Sequence, residues 1–237
     1  MLGAVAAVIA DAAIYYFGAE PLIRYFAGPD CPSNLEFAPA AAKNAGLAVN
    51  YALRLSAAAV IATFLSRRGH ATVDDLGLTL KDAGRDAVWT AKVIGVLLAG
   101  ALVLAAAAVG VIRWRHARVD LGSDMELWPV SLLCAPLAEE FVYRSLLVNG
   151  LKANYGTKST LAFSALIFYA LHLGYSRPWW HLHYLFAGAI LAWAFLQRPR
   201  LWIVLLLHAG GNLLVMSDDL LWRFAPKAYQ ALLGQGR

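Results

Sequence analysis

The sequence predicts an all-α fold: a polytopic transmembrane helix bundle of about seven spans with a juxtamembrane interfacial helix, forming a single integral membrane domain over residues 1–237. Three observations carry this expectation. Hydrophobic residues make up 60% of the chain and its mean hydropathy is +0.58, against about 45–50% apolar residues in soluble domains. Apolar runs near the ~20 residues that a helix needs to cross hydrocarbon recur along the chain, bounded by charge, Pro or Gly. The basic residues behind the net charge of +5 sit in short clusters beside those runs, as in "SRRGH", "RWRHAR" and "QRPR". That is the pattern of membrane-flanking anchors, not of a nucleic-acid surface.

The first run, residues 2–18, is short and contains Asp11. The second, residues 45–65, carries Asn50 and Arg54 ahead of "LSAAAVIATFL" and ends at Arg67 and Arg68. Arg54 can snorkel or face the interior, and Asp11 and Arg54 either line a cavity or pair. Residues 72–92 mix charge with Leu, Ala and a Trp and predict the interfacial helix. The third span, "VIGVLLAGALVLAAAAVGVI" at 93–112, is the cleanest.

The fourth span, residues 127–148, contains Pro129 and Pro136, which predict a bend or restart of the helix. The fifth (159–175), sixth (182–197) and seventh (201–216) are joined by the short segments "SRPWWH" and "QRPR", which force antiparallel neighbours. The segment after Asp218 is polar enough to leave the membrane. An N-terminus-in orientation puts "SRR" and "QRPR" inside but leaves "RWRHAR" outside, so the positive-inside bias is only partly satisfied. Cys31 falls in a polar loop and Cys134 in a span, so no disulfide is expected between them. The first residues have neither a basic n-region nor a clear cleavage site, and no removable signal peptide is expected.

The chemistry is concentrated in "APLAEEFVYRSLL", residues 135–147. Lipid penalises charge heavily, and intramembrane carboxylates and guanidinium groups are functional by default. Residues four apart on a helix share a face, so Glu140 and Arg144 can pair, while Glu139, about 100° away, points elsewhere. A structural Glu–Arg clamp without chemistry is the bland alternative. The fifth span brings Phe168 and His172 to one face of "FYALH", and the seventh does the same for His208 and Asn212 of "HAGGN". A lone intramembrane histidine often only bonds a neighbouring helix. Two histidines, an asparagine and a glutamate on three apolar helices amount to the polar set for amide hydrolysis: a base, an imidazole and oxyanion donors. Gly210 and Gly211 allow close approach of a helix or a substrate backbone, and His181 and His183 read as interfacial belt residues. No HExxH, GxSG or GxGD motif is present. A transporter with a proton relay would predict internal pseudo-symmetry, and none is evident.

"EEFVYR", "FYALH" and "HAGGN" resemble the EExxxR, FxxxH and HxxxN/B motifs of the CPBP family, which comprises type II CAAX prenyl endopeptidases and bacteriocin-processing or immunity proteins. The resemblance covers residues 127–216, the implied catalytic core; upstream, only the apolar spans and "DDLGL" add to it. It implies a glutamate-dependent intramembrane endopeptidase in which Glu139 and His172 activate water and His208 and Asn212 stabilise the oxyanion. Glu140, Arg144 and Phe168 take supporting places. No cofactor is implied; a zinc site of Glu139, His172 and His208 is the less favoured alternative. The expected partners are a membrane-associated protein or peptide substrate and the lipid bilayer, with no nucleic acid. The expected location is a bacterial inner (plasma) membrane, where a sorting tail or leader peptide is favoured over a prenylated C-terminus. A non-catalytic immunity or scaffolding factor of the same fold is the rival reading.

Overall fold

A computed structural model describes residues 1–33, 35, 38–115, 127–173 and 182–224. All regular elements among them are helical: α1 (Leu2–Ala27), α2 (Ala40–Arg67), α3 (Ala83–Arg115), α4 (Ala135–Glu140), α5 (Asn149–Leu171), α6 (Leu182–Gln197) and α7 (Leu201–Phe224). Three helices, Leu2–Ala27, Ala40–Arg67 and Ala83–Val103, are long and apolar enough to cross a membrane, which makes this an integral membrane protein. The expected seven spans are not established by length and composition. The shorter apolar helices are Leu182–Gln197 and Leu201–Leu214, and the 16 residues of α6 reach only about 24 Å against about 30 Å of hydrocarbon.

Small residues let α1 and α2 lie close together. Ala4, Ala7, Ala42, Ala58 and Ala62 are buried, and a Cβ on Gly46 would stand 2.7 Å from the Ile23 backbone nitrogen. Asn50, fully buried on α2, donates across this seam to the Ile14 carbonyl at 2.8 Å, satisfying a polar group that lipid would leave unpaired.

No separate interfacial helix forms over residues 72–92. Residues 70–82 are a turn-rich loop, and 83–92 are the first turns of α3 itself. The loop is fastened from outside. Leu201 donates its backbone N–H to the Gly77 carbonyl at 2.9 Å, Ser145 donates to the Leu76 carbonyl at 2.7 Å, and Asn149 donates to the Asp75 carbonyl. Gly77 has φ +70°, and a Cβ there would meet the Leu201 nitrogen at 2.9 Å. The Thr72 hydroxyl and then the Thr72 N–H hold the Asp75 carboxyl below its usual range.

Arg198 and Arg200 do more than flank the membrane. They converge on Asp86, buried in the first turn of α3, at 3.4 and 3.2 Å. A carboxylate there also complements the α3 helix dipole. Through these contacts "QRPR" lies at the same end of the bundle as the loop that follows Arg67 and Arg68. "SRPWWH" and the second half of "RWRHAR" lie outside the described residues, as does everything after Phe224. Both cysteines are free thiols.

The fourth and fifth predicted spans are built differently from expectation. Residues Val130–Cys134 and Phe141–Val148 are π-helical and flank α4, and α5 follows without a break at Asn149. Reversal comes later, at Gly156 (φ 73°, ψ 176°), inside the stretch assigned to α5. The neighbours show it. Tyr143 contacts Asp11 and Gly150 meets Ala4, whereas Tyr155 contacts Met1 and Leu171 meets Tyr16. The chain therefore runs along α1 in one direction before Gly156 and in the other after it.

Candidate active site

The helix bearing the acidic pair is the central element. All eight residues from Phe141 to Val148 are buried, so this segment is enclosed on every side by protein. Pro136 lies at the start of α4, and the Ala135 N–H just before it bonds Val130 O, five residues back. The wider π turn absorbs the proline where a bend was expected, and π segments of this kind recur at functional sites.

The two glutamates part as their spacing predicts. Glu140, fully buried, lies 3.1 Å from Arg144 Nε in ionic contact that is not aligned as a hydrogen bond. Its other oxygen accepts from His208 Nδ1 at 2.7 Å. Arg144 also donates to the Gly188 carbonyl at 3.4 Å and sits 4.6 Å from the centroid of Phe168. A Cβ on Gly188 would stand 3.0 Å from Phe168 Cβ, so α5 and α6 approach closely here. Phe168 is 1% exposed, and its ring packs against those of His172 and His208 at 4.5 and 6.0 Å.

Glu139 faces a different set. Its Oε2 is 4.0 Å from His172 Nε2, and its Oε1 is 3.5 Å from the Tyr51 hydroxyl and 3.8 Å from Arg54 NH1. His172 closes the C-terminus of α5. Its Nδ1 is 2.6 Å from the Phe168 carbonyl, which fixes Nδ1 as the protonated nitrogen and leaves the Nε2 lone pair facing Glu139. Tyr184 stacks on the imidazole at 4.2 Å.

Glu139, His172, Arg54, Asp11, Tyr15 and Tyr143 line a cavity of about 20 Å³, the space of roughly one water. His208 reaches Glu140, not Glu139, and Asn212 donates to the Ser131 carbonyl at 2.7 Å. Gly210 and Gly211 have nothing within 4 Å of a Cβ position, so no helix among the described residues uses them for packing. His183 is exposed and its ring lies tilted against that of Tyr184 at 4.0 Å; His181 lies outside the described residues. No group of three histidine, cysteine, aspartate or glutamate side chains among the described residues is placed to hold a metal ion.

Asp11 and Arg54 both pair and line the cavity. Arg54 donates to Asp11 through Nε at 2.6 Å and NH2 at 2.9 Å, and Tyr143 donates to the same carboxylate at 2.6 Å. Tyr51, Tyr143 and Tyr184 were not legible as site residues. An aromatic in a span is ordinary, and only the fold turns these three toward the polar cluster.

The fold and site define an integral membrane protein with a buried carboxylate–imidazole centre. Residues 122–214 match the family of Rce1-like proteins, described as type II CAAX prenyl endopeptidase Rce1-like. The match spans the central helix and the three motifs, bearing out the CPBP resemblance, and covers less than half of the chain. No curated protein and no solved structure matches the chain.

Proposed function

We propose that the protein is a glutamate-dependent intramembrane endopeptidase that hydrolyses a peptide bond in a membrane-associated protein or peptide. The observation that carries this reading is the pairing of Glu139 Oε2 and His172 Nε2 across 4.0 Å beside a water-sized cavity. Two acceptors at that separation orient one water, each taking one of its hydrogens. Glu139 removes a proton as the oxygen attacks the scissile carbonyl carbon. The carbonyl π electrons move to its oxygen, giving a tetrahedral oxyanion. His208, its Nδ1 held on Glu140, turns Nε2 to that oxygen. Asn212 donates its second amide hydrogen, the first being held by Ser131. As the C–N bond breaks, Glu139 returns its proton to the departing amine. The chemistry needs no metal, because a carboxylate base, an imidazole and amide and imidazole donors for the oxyanion are already supplied by the chain. The Rce1-like match supports the same reaction class. The location is a bacterial inner membrane, where a sorting tail or leader is the favoured substrate.

The test compares protein termini in host cells carrying wild-type protein or Glu139→Gln, which removes the base and nearly keeps its shape. Defined termini that vanish in the variant are the expected result and name the substrate. Identical termini, with a phenotype still caused by deleting the protein, would overturn the reading in favour of a binding factor.

A further inference from the structure

We propose that Arg54 is the positioning residue of Glu139, supplied from outside the segment that matches the Rce1-like family. The inference rests on Glu139 being the base and adds what holds that base in place. Arg54 is 3% exposed. Asp11 occupies two of its nitrogens, Nε and NH2, which fixes the guanidinium plane, and the rings of Tyr51 and Tyr15 flank it at 4.7 and 5.1 Å. The third nitrogen, NH1, is buried and makes no hydrogen bond. A pair that served only to staple α1 to α2 has no need of a buried donor turned away from it, because such a donor is unfavourable unless a charge compensates. The compensating charge is Glu139 Oε1 at 3.8 Å.

Two features make this positioning and not mere proximity. Arg54 and Tyr51 both lie on the Oε1 side of Glu139, while His172 lies on the Oε2 side. The carboxylate is thereby oriented, with one oxygen turned to cation and phenol and the other to the water position. Tyr143, four residues after Glu139 on the same helix, donates to Asp11 at 2.6 Å. Glu139, Arg54, Asp11 and Tyr143 so form a closed ring that references the guanidinium to the helix carrying the base, and movement of α1 or α2 cannot readily change the distance between them.

The experiment separates positioning from stapling through the double variant Asp11→Asn/Arg54→Met. Replacing both members of the Asp11–Arg54 pair by neutral groups avoids stranding Asp11, so this protein should accumulate, and because Glu139 is left without its cation its output is read per folded molecule. Infrared spectra of purified wild-type protein minus Glu139→Gln isolate the Glu139 carboxylate band. The expected result is a displaced band in the double variant, with Glu139-dependent termini in cells reduced by about 10²-fold, the loss typical of a misplacement near 1 Å. An unmoved band with termini at the wild-type level would overturn the proposal. If the double variant does not accumulate, Arg54→Lys decides. A single ammonium on a flexible stem cannot serve Asp11 twice and still face Glu139, so wild-type output per folded molecule would equally overturn it. Termini that persist in Glu139→Gln mark a different failure, that of the base assignment.

Discussion

Replacing Arg144 by Met should be among the most damaging single changes in this protein. Arg144 and Glu140 are both fully buried, so the substitution strands a carboxylate in an enclosed interior. Breaking a buried pair by removing one partner costs about 3–5 kcal/mol, and loss of the cation over Phe168 adds about 1–2 kcal/mol at a desolvated site. The surviving His208–Glu140 hydrogen bond, 2.7 Å long, offsets part of this. A net loss of about 4 kcal/mol is expected, close to three decades in the folding equilibrium and a large share of the ~5–15 kcal/mol that holds a domain together. Equilibrium unfolding of purified protein in mild detergent measures it. The companion variant Glu140→Gln/Arg144→Met removes both charges and leaves His208 an acceptor, and should recover to within about 1–2 kcal/mol of wild type. A loss below about 1 kcal/mol for Arg144→Met alone would refute the claim that Glu140 depends on this partner.

Tyr184→Leu removes the ring stacked on His172; a pair of this kind contributes about 0.5–1.5 kcal/mol, so output of Glu139-dependent termini should fall about three- to tenfold with the melting temperature little changed. Gly46→Leu drives a side chain into the Ile23 backbone, 2.7 Å from the Cβ position; a loss of about 2–3 kcal/mol is expected, read as reduced accumulation in the membrane. The Asp75 carboxyl is held below its ordinary value of 3.8 by Thr72. Its folded-state pKa is depressed, so its contribution is present above that ordinary value and is lost as pH falls through the folded pKa. Asp75→Asn should therefore flatten the acid limb of a melting-temperature profile between about pH 5 and 2, by a small amount because the group is largely solvated. Purified protein treated with a strong zinc chelator should keep its activity on a substrate peptide identified from the termini; loss restored by zinc would reinstate a metal mechanism.

Local spacing was enough to read part of the site. Glu140 and Arg144 are four apart, as are Phe168 and His172, and His208 and Asn212; helix geometry alone puts each pair on one face. The apolar composition determined that the chain is helical and membrane-embedded, because lipid leaves a backbone few other ways to satisfy its polar groups. Asp11 and Arg54 were visible as charges in apolar runs, but their partners were not, since no local rule joins residues so far apart in the chain. Which carboxylate His208 meets, which guanidinium faces Glu139, and that Tyr143 reaches Asp11 all depend on which helices become neighbours. The π turns around Pro136 and the late reversal at Gly156 are likewise products of packing around the central helix. The separate interfacial helix failed because hydrophobic pattern does not reveal tertiary fastening: Leu201, Ser145, Asn149 and the Asp86–arginine clamp hold the preceding loop and start α3 at Ala83. Sequence determined the chemical groups and their local faces; the tertiary structure decided their partners, because the energy of a buried charge is set by whatever helix is packed against it.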